Sequence, residues 1–157
     1  FMWQPNVALS SNKNLDFYFE RDGVLEALEN TNLAYSPNVV IGNAFIYAPS
    51  PGFQVGLLSK YVGEQFMGNI DSANSLLNSY LVSDISAVWT WQSNTWFDSI
   101  QWSLLINNIF NEQYESNGYF YTYDDSWSNP GQIETIEGAG YYPQAGINFL
   151  TGLKLRF

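Results

Sequence analysis

The sequence predicts an all-β fold, and more narrowly a segment of an antiparallel transmembrane β-barrel. Three observations carry that expectation. Side chains alternate apolar and polar with period two through most of the chain, the connections alternate strictly between short and long, and aromatic residues gather beside the short ones. Period-two alternation puts successive side chains on opposite faces of a strand. Composition agrees: 46% of residues are hydrophobic and 13% are charged, about half the charged share of an ordinary soluble domain. No apolar run reaches the length of a membrane helix, so the apolar residues are spread over alternate positions.

The elements follow in chain order. A first strand is expected within residues 3–12, limited near its start by Pro5, which has no N–H to give a ladder. Residues 38–48 set Val39, Ile41, Phe45 and Tyr47 on one side, with Asn43 interrupting, and the small Gly42 and Ala44 on the other. Pro49-Ser50-Pro51-Gly52 is a strong turn signal, because proline presets its own φ. Phe53, Val55, Leu57, Ser59 and Tyr61 then alternate with Gln54, Gly56, Leu58, Lys60 and Val62.

Residues 81–92 repeat the pattern, with Leu81, Ser83, Ile85, Ala87, Trp89 and Trp91 against Val82, Asp84, Ser86, Val88, Thr90 and Gln92. A polar connection at 93–98 holds Trp96 and Phe97, and 99–109 resumes with Ile100, Trp102, Leu104 and Ile106. The final run, 147–157, alternates Ile147, Phe149, Thr151, Leu153, Leu155 and Phe157 with Asn148, Leu150, Gly152, Lys154 and Arg156.

Turns at 49–52 and 93–98 are short, whereas 13–37, 63–80 and 111–145 are long and rich in Asn, Ser, Asp and Tyr. In a meander this puts all short turns at one rim and all long loops at the other, as in outer-membrane barrels. Tyr47, Phe53, Trp89, Trp91, Trp96, Trp102 and Phe157 fall near the short-turn rim, where amphipathic rings suit a membrane interface. Residues 21–30 show a weak helical spacing through Val24, Leu25 and Leu28, too short to hold a helix alone.

Charge and composition exclude several functions. With 15 acidic against 5 basic residues and a net charge of −10, a nucleic-acid partner is disfavoured. The absence of Cys and His removes disulfides, thiolate chemistry, His-based triads and the usual zinc sites. No cofactor or metal is expected: Asp124, Asp125, Glu134 and Glu137 match no recognised calcium loop. The chain opens on Phe1-Met2-Trp3-Gln4, without an initiator Met or a visible signal peptide, so a processed or partial chain is expected. About six strands are visible, too few to close the smallest usual membrane barrel.

Ile106-Asn107-Asn108-Ile109-Phe110-Asn111-Glu112-Gln113-Tyr114 resembles the penultimate-strand signature of TonB-dependent outer-membrane receptors. Tyr141-Tyr142-Pro143-Gln144-Ala145-Gly146-Ile147-Asn148-Phe149 resembles the lead-in to their last strand, and Gly152-Leu153-Lys154-Leu155-Arg156-Phe157 its end. Leu33-Ala34-Tyr35-Ser36-Pro37 and Lys60-Tyr61-Val62-Gly63-Glu64-Gln65-Phe66 are similar to barrels of this family from Bacteroidota.

The resemblance implies that residues 1–157 are the C-terminal part of a 22-stranded plugged barrel in the bacterial outer membrane, taking up an unidentified solute. It further implies as partners the rest of barrel and plug, the TonB-ExbB-ExbD system, outer-membrane lipid and lipopolysaccharide, the barrel-assembly machinery and a surface lipoprotein.

Within that reading no catalysis is expected. Tyr114, Asn117, Tyr119, Tyr121, Tyr123 and Trp127 are the candidates for ligand contact, since rings and amides together hold sugars, chelates or peptides. Lys60, Asp84, Gln101, Asn148, Lys154 and Arg156 are expected to face the lumen or plug. A soluble carbohydrate-binding β-sandwich is the alternative class, and it accounts for alternating strands and tyrosine-rich loops.

Overall fold

A computed structural model describes residues 1–92, 96 and 98–157. Among the described residues twelve strands form, and the only helical element is a short 3-10 turn at Ala73–Ser75. The strands are β1 (Met2–Leu9), β2 (Lys13–Arg21), β3 (Val24–Asn32), β4 (Val39–Ser50), β5 (Phe53–Val62), β6 (Gln65–Phe66), β7 (Leu76–Leu77), β8 (Tyr80–Gln92), β9 (Ser99–Asn107), β10 (Glu115–Asp125), β11 (Glu134–Pro143) and β12 (Asn148–Arg156). Ser93 and Phe97, read as part of the second short turn, lie outside the described residues.

The large sheet has six strands in the order β1-β4-β5-β8-β9-β12, every neighbouring pair antiparallel. Its register separates the two faces that alternation predicts. Trp3, Phe45, Leu57, Ile85, Ile106 and Phe149 form one apolar row across all six strands. The opposite face carries polar rows, among them Thr90, Gln101 and Lys154, and Gln92, Ser99 and Arg156. Pro5 is accommodated because β1 is an edge strand paired only with β4.

The expectation of a transmembrane barrel segment is corrected here: the fold is all-β, with one open six-stranded sheet and three small two-stranded sheets. The sheet is open: β1 and β12 lie at its opposite edges, and each pairs on one side with a single neighbour. A barrel abolishes its edges by joining first strand to last, and no pairing here does so among the described residues. The outer-membrane location and the plug, TonB-ExbB-ExbD, lipid, lipopolysaccharide, lipoprotein and assembly-machinery partners are implied by the same barrel resemblance, and they fall with the barrel reading. Alternating loop length records only a meander with all its long connections at one end.

Those long connections are not loops but small sheets. Residues 13–37 fold into the β2–β3 hairpin, where Asp22 and Gly23 both take positive φ, 54° and 72°, as a two-residue type I′ turn requires. This overrides the weak helical spacing through Val24, Leu25 and Leu28. Residues 63–80 supply β6 and β7, and 111–145 supply β10 and β11. The three two-stranded sheets gather at the long-connection end of the large sheet.

Close packing sits at that end too. The buried apolar residues among those described are Val62, Met67 and Leu77, accompanied by Thr31, Ser75, Ser83 and Asn108. Polar ties connect the hairpins. Asp71 accepts from the backbone and side-chain nitrogens of Asn32 at 2.9 and 3.0 Å, and Asn69 accepts from the Ala34 N–H at 2.8 Å.

Asn108, 2% exposed, turns the chain from β9 towards β10 with φ 51°. Its amide donates to the carbonyls of Glu112 and Ala145 at 2.9 and 3.2 Å and accepts from the Glu112 N–H at 2.8 Å, while its own N–H donates to Asp84 at 2.8 Å. Asn is among the few side chains that tolerate this backbone region, and here it also satisfies three backbone groups.

Asn108→Ala is therefore expected to cost about 2–4 kcal/mol, from unsatisfied buried groups and a strained left-handed residue. Equilibrium denaturation checks this, with Asn108→Gly recovering only the part due to strain.

Candidate functional site

The β10–β11 hairpin presents two contrasting faces. Its register pairs Tyr119 with Gly140, Tyr121 with Gly138 and Tyr123 with Ile136, so these residues share one face with Tyr142. Phe120, Thr122, Asp124, Thr135, Glu137, Ala139 and Tyr141 lie on the other.

The second face is packed against the remaining hairpins. Phe120 lies over Gly68, where an added Cβ would stand 2.5 Å from its ring, and Met67 lies against Gly118. The Tyr35 hydroxyl donates to the Gly118 carbonyl and the Tyr141 hydroxyl to the Asn74 carbonyl, both at 2.9 Å. Asp22 and Thr135 bond reciprocally: the Asp22 N–H donates to the Thr135 hydroxyl at 2.8 Å, and the Thr135 N–H to the Asp22 carboxylate at 2.7 Å.

Glu137 is the centre of this packed face. Its carboxylate receives the Arg21 guanidinium at 3.1 Å, the Asn74 amide at 3.0 Å and a short hydrogen bond from the Ser72 hydroxyl. Burial alone pushes its pKa up, but the bonds from Ser72, Asn74 and Arg21 and the guanidinium charge outweigh it, so the carboxyl titrates below its ordinary value. Three segments distant in sequence meet at one ionised side chain.

With that face occupied, the tyrosine face is turned outward. The rings of Tyr119, Tyr121, Tyr123 and Trp127 are 50, 51, 44 and 69% exposed. Successive centroids are 6.3, 6.4 and 6.2 Å apart, and the planes are within 16°, 17° and 7° of parallel. For the three tyrosines the spacing is that of alternate residues along a strand, and the turn after Asp125 sets Trp127 at a similar distance. Tyr142 flanks Tyr119 at 6.1 Å with a 50° tilt.

Glycines let the rings lie down. A Cβ on Gly138 would stand 2.4 Å from Cζ of Tyr121, and one on Gly140 would stand 2.5 Å from Cε1 of Tyr119. Each ring therefore crosses the facing strand where that strand carries no side chain. At the hairpin tip, Asp125 accepts from the Trp127 and Ser128 N–H groups at 3.0 Å each, fixing the turn that brings Trp127 beside Tyr123. Hydrogen bonds from Ser128 and Trp127 hold its carboxyl below the ordinary range.

Of the ligand-contact candidates, the structure brings Tyr119, Tyr121, Tyr123 and Trp127 together. Tyr114 lies elsewhere, stacked on Tyr80 at 4.3 Å, and burial raises both hydroxyl pKa values. The Asn117 side chain accepts from the Gly118 N–H at 2.8 Å, beside an irregularity in the β10 ladder. Sequence reasoning missed Tyr142, Gly138 and Gly140. Their signal was alternation within Glu137-Gly138-Ala139-Gly140-Tyr141-Tyr142, legible only once a strand is placed there.

The remaining candidates are separate from the ladder. Lys60 and Asp84 line an open hollow of about 460 Å³ on the face opposite the Trp3–Phe149 row, with Gln4, Asn6, Leu58 and Val82. Gln101, Lys154 and Arg156 border a smaller one of about 140 Å³ with Thr90, Gln92 and Ser99. Asn148 accepts from the Asn107 amide at 2.9 Å. These groups face an open surface rather than an enclosed lumen.

The expected girdle is likewise a set of sheet aromatics rather than a ring around a closed barrel. Phe53 meets Trp89 edge-on at 5.8 Å, and Trp89 stacks on Trp91 at 4.5 Å. The Trp102 indole donates to Thr151 at 2.9 Å, while Tyr47, Trp96 and Phe157 are exposed.

No protein-family model, curated protein or solved structure matches the chain. The resemblance to TonB-dependent receptors thus stands on short motifs alone, and the open sheet does not carry it. Those motifs are accounted for by local structure: Asn107 and Asn108 are turn and pairing residues, and the terminal run is an edge strand.

The depressed pKa of Glu137 gives the hairpin's docking a pH dependence of defined sign. The ionised form is favoured by the fold, so its stabilisation is present above the ordinary carboxylate pKa and is lost as the pH falls through the depressed value. The protection of β11 amides, measured relative to their intrinsic exchange at each pH, is expected to fall as the pH drops through and below the ordinary carboxylate range. Glu137→Gln should weaken docking by about 1–2 kcal/mol at neutral pH and flatten that part of the profile.

Proposed function

We propose that this chain is a non-catalytic carbohydrate-binding β-module whose ligand lies along the ladder of Tyr119, Tyr121, Tyr123 and Trp127. The observation that carries the proposal is a run of near-parallel, half-exposed rings at strand spacing, laid over glycines. Sugar rings offer apolar C–H faces to aromatic faces and keep their hydroxyls wet at the edges. A row of exposed rings with phenolic hydroxyls suits both halves of that chemistry.

Stacked rings also suit the bases of single-stranded nucleic acid, but such binders add a cationic groove along the backbone. A chain with net charge −10 repels that backbone instead. Binding without turnover is supported by two acids of this hairpin whose pKa is shifted. Glycoside hydrolysis needs one carboxyl with a raised pKa, whereas those of Asp125 and Glu137 are both lowered and both are engaged in fixing the hairpin.

Affinity electrophoresis through polysaccharide-containing gels tests the reading. Tyr121→Ala removes the second ring of the ladder and should weaken retardation about tenfold, on the scale of one aromatic contact. Tyr121→Phe should keep most of it. Equal retardation of wild type and Tyr121→Ala would overturn the proposal.

A further inference from the structure

Resting on that reading, we infer that the ladder selects an uncharged glycan chain and rejects anionic polysaccharides. The argument is the placement of charge around the rings. Between residues 110 and 153 the sequence holds Glu112, Glu115, Asp124, Asp125, Glu134 and Glu137 and no Lys or Arg. The ladder and its surroundings are built from this stretch.

Two of those carboxylates flank the ladder itself. Asp125 and Glu134 are directly paired across the hairpin at the Trp127 end, and strand parity puts both on the ring face with Tyr123 and Ile136. Asp125 holds its place by accepting from the Trp127 and Ser128 N–H groups. An anionic sugar seated on Trp127 would bring its carboxylate or sulfate beside them.

The basic residue tied to this hairpin is turned the other way. Arg21 bonds Glu137 at 3.1 Å on the packed face and lies 3.7 Å from Glu26. Its charge is therefore taken up behind the ladder. A neutral chain meets no such barrier, because stacking on Tyr119, Tyr121, Tyr123 and Trp127 requires no charge partner. Rejection of anions then comes from uncompensated repulsion, which separates partners as effectively as added attraction does.

Matched probes test this: hydroxyethylcellulose, galactomannan and soluble starch, each beside its own carboxymethylated derivative, in affinity gels at about 20 mM salt. Wild type should be retarded by at least one neutral polymer and about tenfold less by its carboxymethylated form. The gap should narrow at about 0.5 M salt, where screening shortens the reach of charge to a few ångströms. Asp125→Asn with Glu134→Gln should also narrow it at low salt, and near-ultraviolet circular dichroism checks that the hairpin is intact. The salt series on wild type stands even if that variant fails to fold.

Equal or stronger retardation by a carboxymethylated polymer, lost in Tyr121→Ala, overturns the charge inference and leaves the ring reading standing. Failure of every polymer to retard wild type overturns the ring reading, and this inference with it.

Discussion

One ionised side chain organises the part of this protein that faces a ligand. Glu137 draws Ser72 and Asn74 from the β6–β7 connection and Arg21 from the β2–β3 hairpin onto a single carboxylate. Partly buried charge is costly unless every lone pair is engaged, so the three partners are a condition for placing Glu137 there at all. Their convergence commits one face of the β10–β11 hairpin to packing. The other face, with its rings, is left to solvent as a geometric consequence.

The large sheet and the small sheets solve different problems. In the large sheet, backbone pairing and strict alternation produce an apolar face and a polar face, with hydrogen bonds across five strand pairs holding the register. Its residues are mostly exposed or half-buried. The small sheets hold Met67, Leu77 and Ser75 in the interior. The best-packed region thus lies under the hairpins, and a ligand platform benefits from that rigidity because rings held in place lose little freedom on binding.

Much of the large sheet was legible in the sequence. Residues around Val39, Phe53, Ser83, Trp102 and Phe149 alternate cleanly, and period-two alternation leaves little freedom in strand assignment. Whether the sheet is part of a barrel was not legible: alternation says which way a side chain points, never how the edges of a sheet are completed. The hairpins were missed for another reason. Asp22-Gly23 is a strong two-residue turn signal, but Glu20, Glu26 and Glu29 around it dilute the alternation that would have exposed the strands. Tyr119, Tyr121 and Tyr123 were legible as ligand candidates yet not as a strand. Their partners across the hairpin, Gly138 and Gly140, have no side chains to betray a pattern.

The glycines beneath the ladder have a consequence for how such a surface changes over time. Gly138 and Gly140 touch no ligand in the proposed mode, yet a methyl group on either would collide with a tyrosine ring and tip it out of line. Aromatic residues on β10 can be exchanged for one another and still leave a flat track, whereas any side chain at the bare positions on β11 makes the ring above it move. The strictest demand on the surface therefore falls on residues that contribute no atoms to it. A search for related platforms would do well to look first for paired gaps on one strand, and only then for rings on its neighbour.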